Sequence, residues 1–334
     1  MTESVKPNLE GRRLAVTGAG GFIGVAVCRR ASQQGAVVIG LDRDPEAVAR
    51  AHLAGAAEVV EGDLLDRDAV AAAVSGADLI VHTAANVREW GSMEDFIRVN
   101  VNGTANVLDA ASKGARVLHL SSVVVYGYDD PETQDETASL RSVGIPYVDT
   151  KSASDRLARE RGAVVIRPGD VYGPGSVPWV ERPLQLMQRR ILAVPRNSWM
   201  LPIFVDDLVE AIMLGLETGR AGEAYTAWSG ERITFADYFD RLAVAAGLPA
   251  PRRLPAPALW LMGALAEGGA KLIRRPPAIG RFGATFISRS GDVSNGRLRQ
   301  QLGWEPRVTI DEGIALSVGP GNRDEATSVH AGRE

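Results

Sequence analysis

The feature that most constrains the fold is a short apolar strand that breaks into glycines. Leu14-Ala15-Val16-Thr17 runs directly into Gly18-Ala19-Gly20-Gly21-Phe22-Ile23-Gly24, and a helical pattern continues to Arg30. Glycines at 18, 21 and 24 permit a tight turn, close approach of a pyrophosphate, and packing of helix on strand. The helix start offers free N–H groups and the positive end of its dipole to phosphates. A glycine pattern alone is weak, and an ordinary glycine-rich turn is its plain alternative. Here the strand before and the helix after supply the context that dinucleotide binding requires.

The rest of the first half repeats that rhythm. Apolar runs at Arg13–Thr17, Val37–Leu41, Ala57–Glu61, Leu79–Thr83, Arg116–Ser121 and Ala163–Arg167 alternate with Ala-rich stretches such as Ala47–Ala54, Asp68–Val74 and Phe96–Ser112. The runs are continuous Val/Ile/Leu, as strands buried on both faces require, so the expected class is α/β with a doubly wound parallel sheet. After Pro168, prolines and glycines punctuate the chain, then Val205–Glu217 reads as a helix and Glu223–Trp228 as a strand. The expected layout is a nucleotide domain over 11–170 to which 203–228 returns. A discontinuous substrate cap takes 171–202 and 229–317, and 318–334 reads as a disordered tail.

Composition excludes several classes. With 334 residues, 45% hydrophobic and 23% charged, the chain reads as an ordinary globular one, long enough to bury a core. A net charge of -4 supplies no field to recruit nucleic acid. Cys28 is the only cysteine, so no intramolecular disulfide forms. No apolar run reaches the ~20 residues of a membrane span, and residues 1–13 lack the apolar core of a signal peptide. The expected location is cytoplasmic.

The second strand ends at Asp42, eighteen residues past Gly24. A carboxylate there accepts the adenosine ribose hydroxyls and repels a 2′-phosphate, which favours NAD over NADP. Arg43 follows directly and is the residue that would embrace a 2′-phosphate instead. Gly62-Asp63-Leu64 follows the third strand, where Asp63 and a backbone group at Leu64 are placed to hold the adenine, or Asp63 to cap a helix.

Tyr147 and Lys151 open a helix four residues apart, so both project from one face. A lysine charge beside a phenol lowers its pKa and makes Tyr147 a proton shuttle. A chance Y-x-x-x-K on a surface helix is common, but Ser121-Ser122 close a strand ~25 residues upstream, at the sheet edge where such folds bind ligands. Asn100 precedes a helix and reads as a cap or as part of the cofactor wall. His52, His82, His119 and His330 show no metal-ligand spacing, and no metal is expected; His82 and His119 read as packed. Asp129/Asp130 read as a solvated loop and Asp206/Asp207 as a helix start. No G-x-S-x-G elbow exists to support a serine hydrolase.

Jointly, these marks resemble the extended short-chain dehydrogenase/reductase family over nearly the whole chain. They are Thr17 to Gly24, Gly62-Asp63-Leu64, His82-Thr83-Ala84-Ala85, Asn100 to Thr104, Ser121-Ser122 with Val125-Tyr126-Gly127, Tyr147 with Lys151, and Arg167 to Gly175. The resemblance implies a Rossmann-type fold and a catalytic set of Ser122, Tyr147 and Lys151, the serine being the one four residues before the tyrosine of V-Y-G. It further implies a cofactor site that takes in Gly18, Gly21, Phe22, Ile23, Gly24, Asp42, Arg43, Asp63, Leu64, Thr83, Ala84, Ala85, Asn100, Ser121, Pro168 and Val171 beside Tyr147 and Lys151. Two positions depart from the family pattern: Thr150 stands where serine is usual and Asp170 where asparagine is usual.

Within the family, Glu61 to Asp66, Pro202-Ile203-Phe204-Val205, Arg275-Pro276-Pro277 and Thr285-Phe286 are most similar to the 3β-hydroxysteroid dehydrogenase and sterol-4α-carboxylate 3-dehydrogenase branch. Nucleotide-sugar epimerases carry an arginine just before the equivalent of Phe204; Trp199-Met200-Leu201-Pro202-Ile203 holds no basic residue, and an apolar wall there suits a lipophilic substrate. The implied function is NAD-dependent interconversion of a secondary alcohol and a ketone on a steroid-like substrate, in a homodimer. The alternatives are a reductase of another lipophilic carbonyl (a β-keto acid or a dihydroflavonol type), a nucleotide-sugar epimerase or dehydratase, and a non-catalytic dinucleotide sensor. Finally, Lys271, Arg274, Arg275, Arg281 and Arg289 form a basic stretch after the apolar Leu259 to Leu265. It reads as a solvated basic loop beside a packed helix, or as weak contact of 256–289 with an anionic membrane surface.

Overall fold

The computed structural model describes residues 9–88, 91–127, 132–273 and 280–319, with backbone only at 268–273 and 281–282. Asp129, Asp130, Arg274, Arg275 and the tail from 320, together with the side chains of Lys271 and Arg281, lie outside the described residues.

Seven strands make the central sheet: β1 (Arg13–Thr17), β2 (Val37–Asp42), β3 (Glu58–Glu61), β4 (Leu79–His82), β5 (Arg116–Leu120), β6 (Val164–Pro168) and β7 (Ala224–Ala227). Their order is β7-β6-β5-β4-β1-β2-β3, every pairing parallel. The chain reverses its winding between β1 and β4, and a crevice at the carboxyl ends of the strands opens at that point. Register aligns those ends, with Thr17 opposite both Leu41 and His82, and His82 opposite His119.

Burial on both faces explains the continuous apolar strands. On one face Leu14, Val16, Val81, Leu118 and Ile166 pack against helices Phe22–Gln33 and Val205–Thr218 through Val27, Ala31, Leu208 and Ile212. On the other, Ala15, Ile39 and Ile80 meet Val70, Ala73, Val74 and Val107. A fully buried Ile or Leu such as Ile80 contributes about 1.5–3 kcal/mol, so this sandwich dominates the stability.

A second core belongs to the segments after Pro168. Tyr172, Val180, Met187, Val194, Phe204, Phe235, Tyr238, Phe239 and Ile310 cluster away from the sheet. Short strand pairs frame it: Pro202–Phe204 on Asp170–Tyr172, Trp199–Met200 on Ile233–Thr234, and Arg252–Leu254 on Ala193–Pro195. The chain from 271 onward was expected to be a basic loop. Instead, helix Ala256–Ile273 packs along helix Arg281–Ile287, and Leu259 is buried against Ala193 and Ala284. Trp260, Leu261, Met262 and Leu265 on the first of these helices are exposed. Among the described residues, no helix is long and apolar enough to cross a membrane.

Candidate active site

The glycine turn fits a pyrophosphate by what it leaves out. Gly18 has φ +68, and a Cβ there would lie 2.9 Å from the Ala84 Cα; a Cβ on Gly24 would fall 2.0 Å from the Gly18 carbonyl. Strand, turn and helix therefore close only with glycine at both positions. Gly21 caps helix Phe22–Gln33 with no side chain, and no acidic residue occupies the first turn. The first-turn N–H groups are left for an anion, and Gly18, Gly21, Phe22, Ile23 and Gly24 all line one cleft of about 660 Å³.

Asp42 and Arg43 meet at the tip of β2. The Asp42 carboxylate accepts from the Gly20 N–H at 3.0 Å and from the Arg43 N–H at 2.9 Å, which ties the strand tip to the glycine turn. Arg43 points across to Asp63, Nη1 to Oδ2 at 3.0 Å. Asp63 also accepts from the Leu65 N–H at 3.0 Å. Burial pushes Asp63 upward, but the Leu65 and Arg43 bonds outweigh it and hold the carboxyl below its usual range. Asp63 caps no helix: Asp66 caps Arg67–Val74. Leu64, Thr83, Ala84 and Ala85 line the same cleft, with Thr83 Oγ1 donating to the Thr17 carbonyl at 2.8 Å.

The catalytic candidates converge from β5 and from helix Pro146–Glu160. A buried pair fixes that helix: Arg167 on β6 donates to both oxygens of Asp155 at 2.8 Å and to the Tyr126 hydroxyl at 3.0 Å. Ser121 continues β5 by donating its N–H to the Ile166 carbonyl at 2.7 Å; its Oγ is buried and makes no hydrogen bond. Ser122 caps the turn Val123–Tyr126, and its side chain shares a hydrogen bond with the Tyr147 hydroxyl. Lys151 is buried, and its Nζ donates to the Leu120 carbonyl at 2.6 Å.

The electrostatics correct one expectation. Burial raises the Tyr147 phenol above its usual value, against the lowering effect of the Ser122 bond, so the phenol is not depressed as the lysine spacing suggested. Desolvation also acts on Lys151: burial pushes it down to about 8, opposed by the Asp155 carboxylate. His82 is pushed down to about 3, and His119 well below its usual value, by burial and then by the Lys151 charge. Both rings are packed and neutral, with His82 held between Thr17 Oγ1 at 2.7 Å and Thr104 Oγ1 at 2.9 Å.

Asn100 is neither a helix cap nor a lining residue. It is buried within the wide helical turns Ile97–Asn102, where its Oδ1 accepts from the Asn86 N–H at 2.6 Å. Its Nδ2 donates to the Asn86 carbonyl and to Thr150 Oγ1, each at 3.1 Å. It thus joins the loop after β4 to the helix of Tyr147 and Lys151.

The other half of the cleft is apolar apart from Arg182. Val177, Pro178, Trp179, Leu186, Val194 and Phe286 line it beside Pro168 and Val171. Trp179 stacks on Phe235 at 5.6 Å and lies 5.8 Å from Phe286. The expected wall from Trp199 to Ile203 is absent from the lining, because Pro202–Phe204 pairs with Asp170–Tyr172 and sits beneath it. The residues that form the wall instead come from three distant segments, and no local pattern marked them. Arg289 also departs from the reading as a solvated cation: it is 4% exposed and bonded to Asp170. Burial raises Asp170, while Arg289 and the Leu201 N–H pull it down. Among the described residues, no cluster of His, Cys, Asp or Glu could hold a metal ion.

Comparison with known proteins adds a lineage to this geometry. A family model described as the NAD dependent epimerase/dehydratase family matches residues 14–229. The 2-alkyl-3-oxoalkanoate reductase of Shewanella oneidensis is 27% identical, over 90% of this chain and 84% of that protein. The dTDP-glucose 4,6-dehydratase of Streptomyces niveus is 30% identical, over 92% of this chain and 91% of its own. The 3 beta-hydroxysteroid dehydrogenase/Delta 5-->4-isomerase of Mycobacterium tuberculosis is 28% identical, over 90% and 88%.

Proposed function

The chain belongs to the NAD dependent epimerase/dehydratase family, and from that premise we propose that it interconverts a secondary alcohol and a ketone on a lipophilic, steroid-like substrate. The observation that carries this reading is the junction inside one cleft of the Ser122–Tyr147 pair with the wall of Val177, Trp179, Leu186 and Phe286. That wall presents one cation, Arg182, and is otherwise apolar, which suits a lipophilic skeleton better than a sugar.

NAD, when bound, supplies the hydride acceptor. The glycine turn and the start of helix Phe22–Gln33 would hold its pyrophosphate, and Asp42 its adenosine ribose. Tyr147, once its phenol has released its own proton to solvent, would take the proton of the substrate hydroxyl at its Oη, and Ser122 Oγ would orient that oxygen. Lys151, anchored on the Leu120 carbonyl, keeps a positive charge behind the phenol as it loses its proton.

Turnover of 3-hydroxysteroids, long-chain ketones and nucleotide sugars with NAD and NADP tests the reading. Lipophilic alcohols are expected to react with NAD; turnover confined to nucleotide sugars overturns it. Similarity to the 2-alkyl-3-oxoalkanoate reductase supports a second reading, reduction of a long-chain 3-keto acid, which the same panel separates. The exposed Trp260, Leu261, Met262 and Leu265 support delivery of the substrate from an anionic lipid surface, checked by co-sedimentation with anionic vesicles at low and high salt.

A further inference from the structure

Asp170 and Arg289 form a buried ion pair at the floor of the cleft, across 119 residues of sequence. Asp170 lines the cleft between Gly169 and Val171, and its carboxylate also accepts from the Leu201 N–H at 2.8 Å. Arg289 stands behind it. Its guanidinium lies 4.4 Å from the centroid of Phe286, itself a lining residue, and 5.1 Å from that of Phe235. Its Nε and Nη1 are buried and make no hydrogen bond, so the cation has donors to spare.

A guanidinium keeps its charge at any working pH, so the carboxylate beside it serves as its counter-ion. With an amide in place of Asp170, that cation would stand directly behind the cleft lining with no charge to balance it. Of the cleft's other cations, Arg43 is paired with Asp63, the Lys151 ammonium donates to the Leu120 carbonyl beside Tyr147, and Arg182 lines the wall near Trp179 and Leu186.

We propose that Asp170 is a specificity-determining residue: by neutralising Arg289 it selects neutral lipophilic substrates over anionic ones of the same skeleton. This rests on the reading of the cleft as a lipophilic-substrate site and deepens it, since it sets a neutral alcohol or ketone apart from a keto acid. Selectivity of this kind is a difference of two affinities, created here by refusing a charge a partner.

Binding of methyl dodecanoate and of dodecanoate to the full chain, followed by intrinsic tryptophan fluorescence, tests it without turnover. The wild type is expected to bind the ester about tenfold or more tightly than the acid. Asp170→Asn should shift that ratio toward the acid by about tenfold or more, and Asp170→Asn/Arg289→Met, neutral again, should restore the wild-type ratio. A wild type that prefers the acid, or a single variant with an unchanged ratio, overturns the proposal. If Asp170→Asn does not fold, the wild type and the double variant still decide, because a preference for the acid in either one overturns it. Failure to oxidise any secondary alcohol would sink the functional reading alone and leave the binding ratio to judge this one.

Discussion

The Lys151 ammonium donates to the Leu120 carbonyl at 2.6 Å, joining the helix that carries Tyr147 to the last residue of the strand that delivers Ser121 and Ser122. The bond explains how a lysine is buried beside the cleft, and burial explains why its pKa falls to about 8. The folded-state value lies below lysine's ordinary 10.5, so the unfolded chain binds the proton more tightly. Below pH 8 the buried charge costs the fold on the order of 3 kcal/mol, and the cost fades as pH rises from 8 to 10.5. Lys151→Met should therefore gain stability relative to the wild type at pH 7, less the lost hydrogen bond, and the gap should narrow by pH 10. Urea unfolding at both pH values measures it, and a gap independent of pH contradicts the account.

Tyr147→Phe removes the hydroxyl assigned to exchange a proton with the substrate while keeping the ring that packs near Val124 and Val148. Loss of one general acid/base lowers kcat on the order of 10²–10⁴, with NAD still bound. Steady-state kinetics and a cofactor titration separate the two effects. Wild-type kcat in this variant would remove Tyr147 from the mechanism.

Cofactor choice rests on two carboxylates with different partners. Asp42 holds the Gly20 N–H, and Asp63 holds Arg43 away from the strand tip. Asp42→Ala should raise KM for NAD and narrow the preference over NADP. Asp63→Asn should weaken the hold on Arg43 and improve NADP without a matching loss of NAD. The ratio of kcat/KM for the two cofactors reads both variants, and a wild type that already prefers NADP refutes the assignment of Asp42.

Asn100→Ala leaves the Asn86 N–H and Thr150 Oγ1 without their Asn100 partner. A buried donor left unmade costs about 1–3 kcal/mol, so the variant should melt earlier. It should also lose kcat beyond that stability loss when assayed well below its Tm, because the loop at Asn86 and Val87 borders the cleft. Unchanged kcat at 20 °C would make Asn100 purely structural.

Much of the fold was legible because its signals are local. A strand buried on both faces must be apolar throughout, so Val37–Asp42, Leu79–His82 and Val164–Pro168 declared themselves one run at a time. The turn at Gly18 was legible for the same reason, since a positive φ and a crowded Cβ position admit one residue type. Tyr147 and Lys151 were legible because helical spacing alone puts them on one face.

Packing decided what spacing could not. Whether the phenol would be depressed depended on how deeply it is buried, and desolvation outweighed the Ser122 bond. Whether Arg43 would face the ribose depended on Asp63, twenty residues away in the loop after another strand. The apolar wall at Trp179, Leu186, Val194 and Phe286, and the Asp170–Arg289 pair beneath it, join segments far apart in the chain. The sequence by itself determined the local conformations and the residue types they demand. Only the tertiary structure decided which charges meet and which lose their water, because both depend on long-range contacts that no window of sequence contains.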